Sequence, residues 1–64
     1  MKKKKVFRNV IAQELYDKMS GDSDCDEAGV DDIGQIFFHY LNGVVNRYSR
    51  RQFIKRAQLW KESQ

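Results

Sequence analysis

The chain has no proline, one cysteine and one histidine among its 64 residues. Because proline is absent, no position forces a helix to end. Cys25 alone cannot close an intramolecular disulfide, and His39 cannot complete a zinc site with it, since structural zinc takes four ligands. Packing or self-association therefore has to stabilise this small domain.

Long apolar stretches are also missing. The longest uncharged run, residues 33–46, is interrupted by glutamine, histidine and asparagine, and it is shorter than the roughly 20 apolar residues of a membrane helix. Lys2–Lys5 lead into mixed polar sequence and not into the apolar segment of a signal peptide. We expect a cytoplasmic protein without a membrane span.

Signals of catalysis are few. No glycine-rich loop could cradle a phosphate, and Cys25 lies among carboxylates that would raise its pKa and suppress the thiolate. Asp22, Asp24 and Asp26 have the spacing of the first ligands of an EF-hand, but Glu27 stands where that loop needs glycine. We predict no enzyme, no catalytic residue, no metal and no cofactor.

Apolar periodicity predicts helices within a single domain over residues 1–64. Five apolar residues at three- and four-residue spacing predict a first helix over 6–20, which Gly21 ends; a short strand at Val6–Val10 is the alternative. We expect residues 1–5 to be a flexible basic arm. The residues that define the helix are Phe7, Val10, Ile11, Leu15 and Met19.

Residues 21–31 read as an acidic loop, whose Asp31 or Asp32 would cap a main helix over 32–48. Eight apolar residues of this segment follow the pattern of one wide helical stripe. They are Ile33, Ile36, Phe37, Tyr40, Leu41, Val44, Val45 and Tyr48.

The apolar pattern changes phase after Tyr48. Ser49 and Gln52 match a capping box, which predicts a bend and a third helix over 50–62; one unbroken helix is the alternative. The predicted fold is therefore all-α, with three helices in a small bundle.

The charges are segregated along the chain. Residues 1–8 carry five positive charges, residues 9–32 carry eight negative charges and one positive, and residues 33–64 carry six positive and one negative. The basic residues near the C-terminus and in the N-terminal arm would neutralise phosphates and so bind nucleic acid; balancing the acidic loop is the alternative role. The candidates are Arg47, Arg50, Arg51, Lys55, Arg56 and Lys61, with Lys2, Lys3, Lys4 and Lys5.

A second candidate surface is an uncharged polar stripe on the main helix, which is typical of a protein interface. Its residues are Gln35, His39, Asn42 and Asn46, with Phe38 or Leu59 as an exposed anchor. We expect a small regulatory protein that binds nucleic acid as a homodimer. The alternative is an inhibitor or adaptor that docks on a larger protein through the main helix and the acidic loop.

Overall fold

Residues 5–64 fold as two helices and a three-stranded antiparallel sheet in the order α-β-β-β-α. The structure is a computed structural model that describes residues 5–64. Its elements are α1 (Val10–Ser20), β1 (Cys25–Val30), β2 (Ile36–Tyr40), β3 (Val45–Tyr48) and α2 (Arg50–Glu62). The strands pair in the order β1-β2-β3. The predicted all-α bundle of three helices is therefore wrong, and the fold is α+β.

Two glycines nine residues apart produce the two hairpins. Gly34 and Gly43 have φ angles of 84° and 88°, which glycine adopts without the steric cost of a side chain. Each is the last residue of a three-residue loop, closed by backbone bonds between Asp31 and Gln35 in one hairpin and between Tyr40 and Val44 in the other. The predicted main helix over 32–48 is therefore replaced by a loop, two strands and a tight turn.

The composition of Ile36–Tyr40 explains why this segment is a strand. Isoleucine and aromatic residues favour the pleated backbone. Ile36 and Phe38 are fully buried, while Phe37 and His39 alternate with them and point to the opposite face of the sheet. Ile33, which the helical stripe would bury, is instead 78% exposed.

The expected acidic loop over 21–31 contains a strand. Cys25–Val30 pairs with β2, with an irregularity between Cys25 and Glu27. Asp26 and Glu27 are tolerated there because β1 is an edge strand with exposed side chains. Asp31 caps no helix; its carboxylate accepts hydrogen bonds from the backbone of Ile33 and Gln35 inside the hairpin loop.

The helical predictions are confirmed at both ends of the chain, apart from one boundary. α2 covers Arg50–Glu62, and its Ser49 and Gln52 form the predicted capping box, so the third helix is confirmed. The unbroken helix is wrong, and so is the bend between two helices, because the strand β3 precedes α2. Gly21 ends α1 as predicted. However, α1 starts at Val10 behind the Asn9 cap and not at residue 6, and residues 5–9 form neither a helix nor a strand.

The core lies between the two helices and one face of the sheet, and it is largely aromatic. Phe53 of α2 stacks on Phe7 at 5.2 Å and on Phe38 at 5.8 Å between ring centroids. Tyr16 of α1 lies 5.7 Å from Phe38 on another side. Phe38 therefore joins the sheet to both helices, and burial of these rings supplies much of the favourable free energy of folding.

Candidate functional site

The six predicted basic residues of the C-terminal region point in different directions. Arg47 lies on β3 and pairs with Asp31 at 3.3 Å, so it does not share a helical face with the others. Lys61 pairs with Glu14 of α1 at 3.1 Å. The guanidinium of Arg56 lies over the ring of Tyr48 at 5.3 Å. These three cations already have partners within the chain.

Arg50 has a different role, because it contacts the segment that precedes α1. Its Nη2 donates a 2.8 Å hydrogen bond to the carbonyl oxygen of Val6, and its guanidinium carbon lies 4.6 Å from the centroid of the Phe7 ring. The start of α2 is thereby fastened to residues 6 and 7. These two residues directly follow Lys5, the last residue of the predicted basic arm.

An open groove of about 600 Å³ lies between the residues preceding α1 and the first turn of α2. Its cationic lining residues are Lys5, Arg8 and Arg50, and Val6 and Ile54 supply apolar surface. Lys5 was predicted as part of the basic arm, whereas Arg8 was missed, although its place beside the lysine run is a usable sequence signal. Lys2, Lys3 and Lys4 lie outside the described residues.

Arg51 and Lys55 extend the positive surface away from the groove. Ile54 lines the groove, and Arg51 lies three residues before it in α2. Lys55 lies one turn after Arg51, so Arg51 and Lys55 are neighbours on the helix surface. Both side chains are exposed, and neither forms an ion pair with any residue from 5 to 64. We call Lys5, Arg8, Arg50, Arg51 and Lys55 together the basic end.

At the basic end, both helices start beside positively charged residues, which destabilise the start of a helix. Neither α1 nor α2 has an acidic residue in its first turn, while Arg8 precedes the cap of α1 and Arg50 and Arg51 open α2. A helix start is the positive end of the dipole, and a misplaced charge there costs about 0.3–1 kcal/mol. Helix stability therefore does not explain Arg8 and Arg51, whereas Arg50 has contacts with Val6 and Phe7 that account for its position.

Negative charge gathers elsewhere, along the edge strand β1 and the loops on its two sides. The acidic and basic residues, which are separated along the sequence, are therefore also separated on the surface of the folded protein. The residues are Asp22, Asp24, Asp26, Glu27, Asp31 and Asp32, and two of them pair with His39 and Arg47.

The expected polar stripe has no common surface, because its helix is absent. Gln35 closes the β1–β2 hairpin loop, and Asn42 lies in the β2–β3 loop. His39 lies on the face of β2 away from the helices, whereas Asn46 of β3 is paired with the buried Phe38 of β2. Phe38 is fully buried and cannot anchor a partner, whereas the alternative anchor, Leu59, is 61% exposed.

Exposed apolar side chains lie instead at the tip of the β2–β3 hairpin. Leu41 and Val44 are exposed and border a notch of about 340 Å³ with Tyr40, beside the carboxylates of Asp22 and Asp24. The uncovered face of the sheet is a separate surface that carries Phe37 and His39. From strand dimensions that face measures about 240 Å², well below the roughly 800 Å² per partner of a stable interface. This face alone is therefore too small to form the interface of the predicted homodimer.

The reactive side chains give no catalytic arrangement among residues 5–64. Burial, and next the charge of Asp22, raise the pKa of the Cys25 thiol, so the thiolate is disfavoured. Its sulfur contacts the carbonyl oxygen of Glu27 at 3.5 Å, while the His39 ring is 3.8 Å from the Glu27 carboxylate. Within the same residues, no three metal-ligating side chains cluster.

These environments predict a loss of stability at alkaline pH. Burial is the main cause that raises the pKa of Tyr16, Cys25 and Tyr40. The unfolded chain therefore releases these protons first, above about pH 8.5 for the thiol and about pH 10 for the phenols, and binds fewer protons than the folded chain. The free energy of unfolding falls as pH rises through this window.

Urea denaturation at pH 7.5 and 10.5 measures this effect. We expect lower stability at pH 10.5 and a smaller difference in Tyr16→Phe, which lacks one of the three protons. The comparison between variants cancels the deprotonation of lysines, which both proteins share. An equal pH dependence in the two proteins would contradict the role of Tyr16.

Neither helix in the described part of the chain is long and apolar enough to cross a membrane. Comparison with protein-family models, curated proteins and solved structures finds no match to this chain. Its function therefore has to be inferred from the chemistry of its surfaces.

Proposed function

We propose that this chain is a non-enzymatic protein that binds the phosphate backbone of nucleic acid through its basic end. The observation that carries the proposal is the presence of arginines at two helix starts whose first turns lack acidic residues. At Arg8 and Arg51 no contact within residues 5–64 compensates for this charge, and such a broken local preference is typical of a functional surface. A polyanion is the ligand that would benefit from such a surface, because each phosphate contact releases condensed counterions.

The ion pairs within the chain limit the proposed contact surface. Arg47 and Lys61 each pair with a carboxylate, which offsets their charge. Arg8, Arg51 and Lys55 form no ion pair with residues 5–64. The proposed contacts are therefore the five cations of the basic end, joined by Lys2–Lys4 when a longer stretch of backbone is bound. Such contacts position a protein on nucleic acid without reading bases.

The test measures binding of the full chain to fluorescently labelled 20-base-pair DNA, RNA of the same length and single-stranded RNA, from 50 to 300 mM salt. We expect micromolar binding at 50 mM and a slope of log K against log salt between about −3 and −5, as three to five neutralised phosphates predict. Labelled poly-glutamate serves as a control polyanion. Absence of binding to all three nucleic acids at 50 mM would refute the proposal, and equal binding of poly-glutamate would reduce it to attraction of any anion.

A second candidate function, docking on a larger protein as an inhibitor or adaptor, is supported by the apolar hairpin tip. Leu41 is 68% exposed and Val44 46% exposed, beside two carboxylates that would attract a basic partner. A photo-crosslinking amino acid at Asn42, used in nuclease-treated cell extract, tests this function. One dominant product that Leu41→Asp abolishes supports docking, and a product unaffected by that change argues against it.

A further inference from the structure

Among the cations of the basic end, Arg50 is the most firmly held. Its hydrogen bond to the carbonyl oxygen of Val6 and its position over the Phe7 ring fix the guanidinium from two directions. Phe7 is itself buried and stacks on Phe53. Arg50 is therefore the outermost layer of a stack that begins in the core, and its side chain has little conformational freedom left to lose on binding.

The segment that Arg50 holds is fastened on its other side by α1. Gln13 accepts hydrogen bonds at its Oε1 from the backbone N–H groups of Val6, at 2.7 Å, and Phe7, at 2.9 Å. The same side chain donates from Nε2 to Asp17 at 2.9 Å. Gln13 thus ties residues 6 and 7 to α1, while Arg50 ties them to α2. Lys5 and Arg8, which directly flank this pair of residues, are positioned as a result.

We propose that Arg50 is the positioning residue of the basic end, which makes the cations of residues 5–8 and those of α2 act as one phosphate-binding surface. This inference rests on the proposed function. Lysine at position 50 would keep the charge but lose the planar guanidinium, which both donates to the carbonyl group and covers the ring. Arg56 offers a matched control, because its guanidinium also lies over an aromatic ring, that of Tyr48, but it is not part of the basic end.

The experiment compares Arg50→Lys with Arg56→Lys in the duplex-binding assay. We expect Arg50→Lys to weaken binding about tenfold at 100 mM salt, and to make the slope of log K against log salt shallower by about one unit, chiefly because Arg8 loses its fixed position. Arg56→Lys is expected to stay within about twofold of the wild-type affinity, with an unchanged slope. Both substitutions conserve charge. If the slope of log K against log salt changes in only one of them, the cause is the position of the cations and not their number.

A double-mutant cycle with Arg8→Ala separates positioning from a general loss of stability. In the wild-type background Arg8→Ala removes one phosphate contact and should weaken binding about eightfold at 100 mM salt. In the Arg50→Lys background it should cost less than twofold, because Arg8 is no longer held in place. Equal costs in both backgrounds, or equal effects of the two lysine substitutions, would overturn the role of Arg50. Failure of the wild-type chain to bind at all would instead refute the proposed function.

Discussion

Phe38→Ala is expected to destabilise the protein by about 3–5 kcal/mol, which is enough to unfold most molecules of a 64-residue domain at room temperature. The side chain is fully buried and contacts aromatic rings from three directions. Its removal leaves a cavity that α1, α2 and β3 all border, and none of them can close it without moving away from another. The loss should therefore lie at the upper end of the range for a buried phenylalanine.

Phe37→Ala is the matched control, one residue away. Phe37 lies on the face of the sheet away from the helices, where it is half-buried and neighbours His39 and the paired Gly29. We expect it to cost less than about 1.5 kcal/mol, since it opens no enclosed cavity. Urea denaturation followed by circular dichroism measures both variants.

The comparison decides between a strand and a helix at this position. In the predicted helix Phe37 belongs to the buried stripe and Phe38 lies off it, so the two effects would be reversed. In β2 the alternation of the strand buries Phe38 and leaves Phe37 on the open face. A larger loss from Phe37→Ala than from Phe38→Ala would contradict the sheet.

The sheet was missed because one stretch of sequence satisfies two periods. Between Ile36 and Val45 most residues are apolar or aromatic, so helical and alternating patterns both find matches, and spacing alone cannot separate them. The discriminating signal is in Gly34 and Gly43, which a helix interior accommodates at a cost of about 1 kcal/mol each. An Asn-Gly pair at 42–43 between apolar residues is a strong signal of a hairpin, and it favours two strands over the helix that the apolar stripe predicts.

β1 carries a weaker signal than the other strands. Asp26, Glu27 and Gly29 are poor strand formers, so the segment depends on a partner more than on its own preference. That partner is β2, whose Phe37 is paired with Gly29. An aromatic residue opposite a glycine in an edge strand stabilises the pairing, because its ring fills the space that a side chain would occupy. Pairing between distant residues decides this strand, and a single sequence does not reveal it.

α2 shows the opposite case, because its signals are local. Ser49 and Gln52 form the capping box within three residues of each other, and Phe53 and Ala57 supply the buried face one turn apart. Local hydrogen bonds and apolar spacing agree, so sequence reasoning found both ends of the helix. Its register against α1 was not predictable, since the contacts that set it join residues more than 40 positions apart.

The same distinction applies to the candidate site. The sequence revealed which residues carry positive charge, but not which charges have internal partners. Arg47 pairs with Asp31 across 16 positions and Lys61 with Glu14 across 47. These ion pairs reduce the broad predicted cluster to the basic end, and they indicate which substitutions should matter for binding.

The double variant Arg51→Ala/Lys55→Ala is therefore expected to have the largest effect on binding of nucleic acid. If each residue neutralises one phosphate, the slope of log K against log salt becomes shallower by about 1.8. At 100 mM salt each released counterion contributes roughly eightfold, so the affinity should fall about 60-fold. Both side chains are exposed, and their removal should leave the free energy of unfolding within about 0.5 kcal/mol of the wild-type value.

Lys18→Ala/Arg56→Ala removes the same net charge from other parts of the surface. Lys18 lies in the last turn of α1, roughly 12 Å along the helix from its start, and Arg56 lies over Tyr48 on the flank of α2 away from the groove. Lys18 lies beyond the roughly 10 Å over which charges act at 100 mM salt, and Arg56 is about 200° around the helix axis from Ile54 of the groove, so we expect a loss below about threefold and a nearly unchanged slope. Equal losses in the two double variants would show that net charge alone drives binding. A larger loss of affinity from the control pair would place the contact surface on the other side of α2, which carries Leu59.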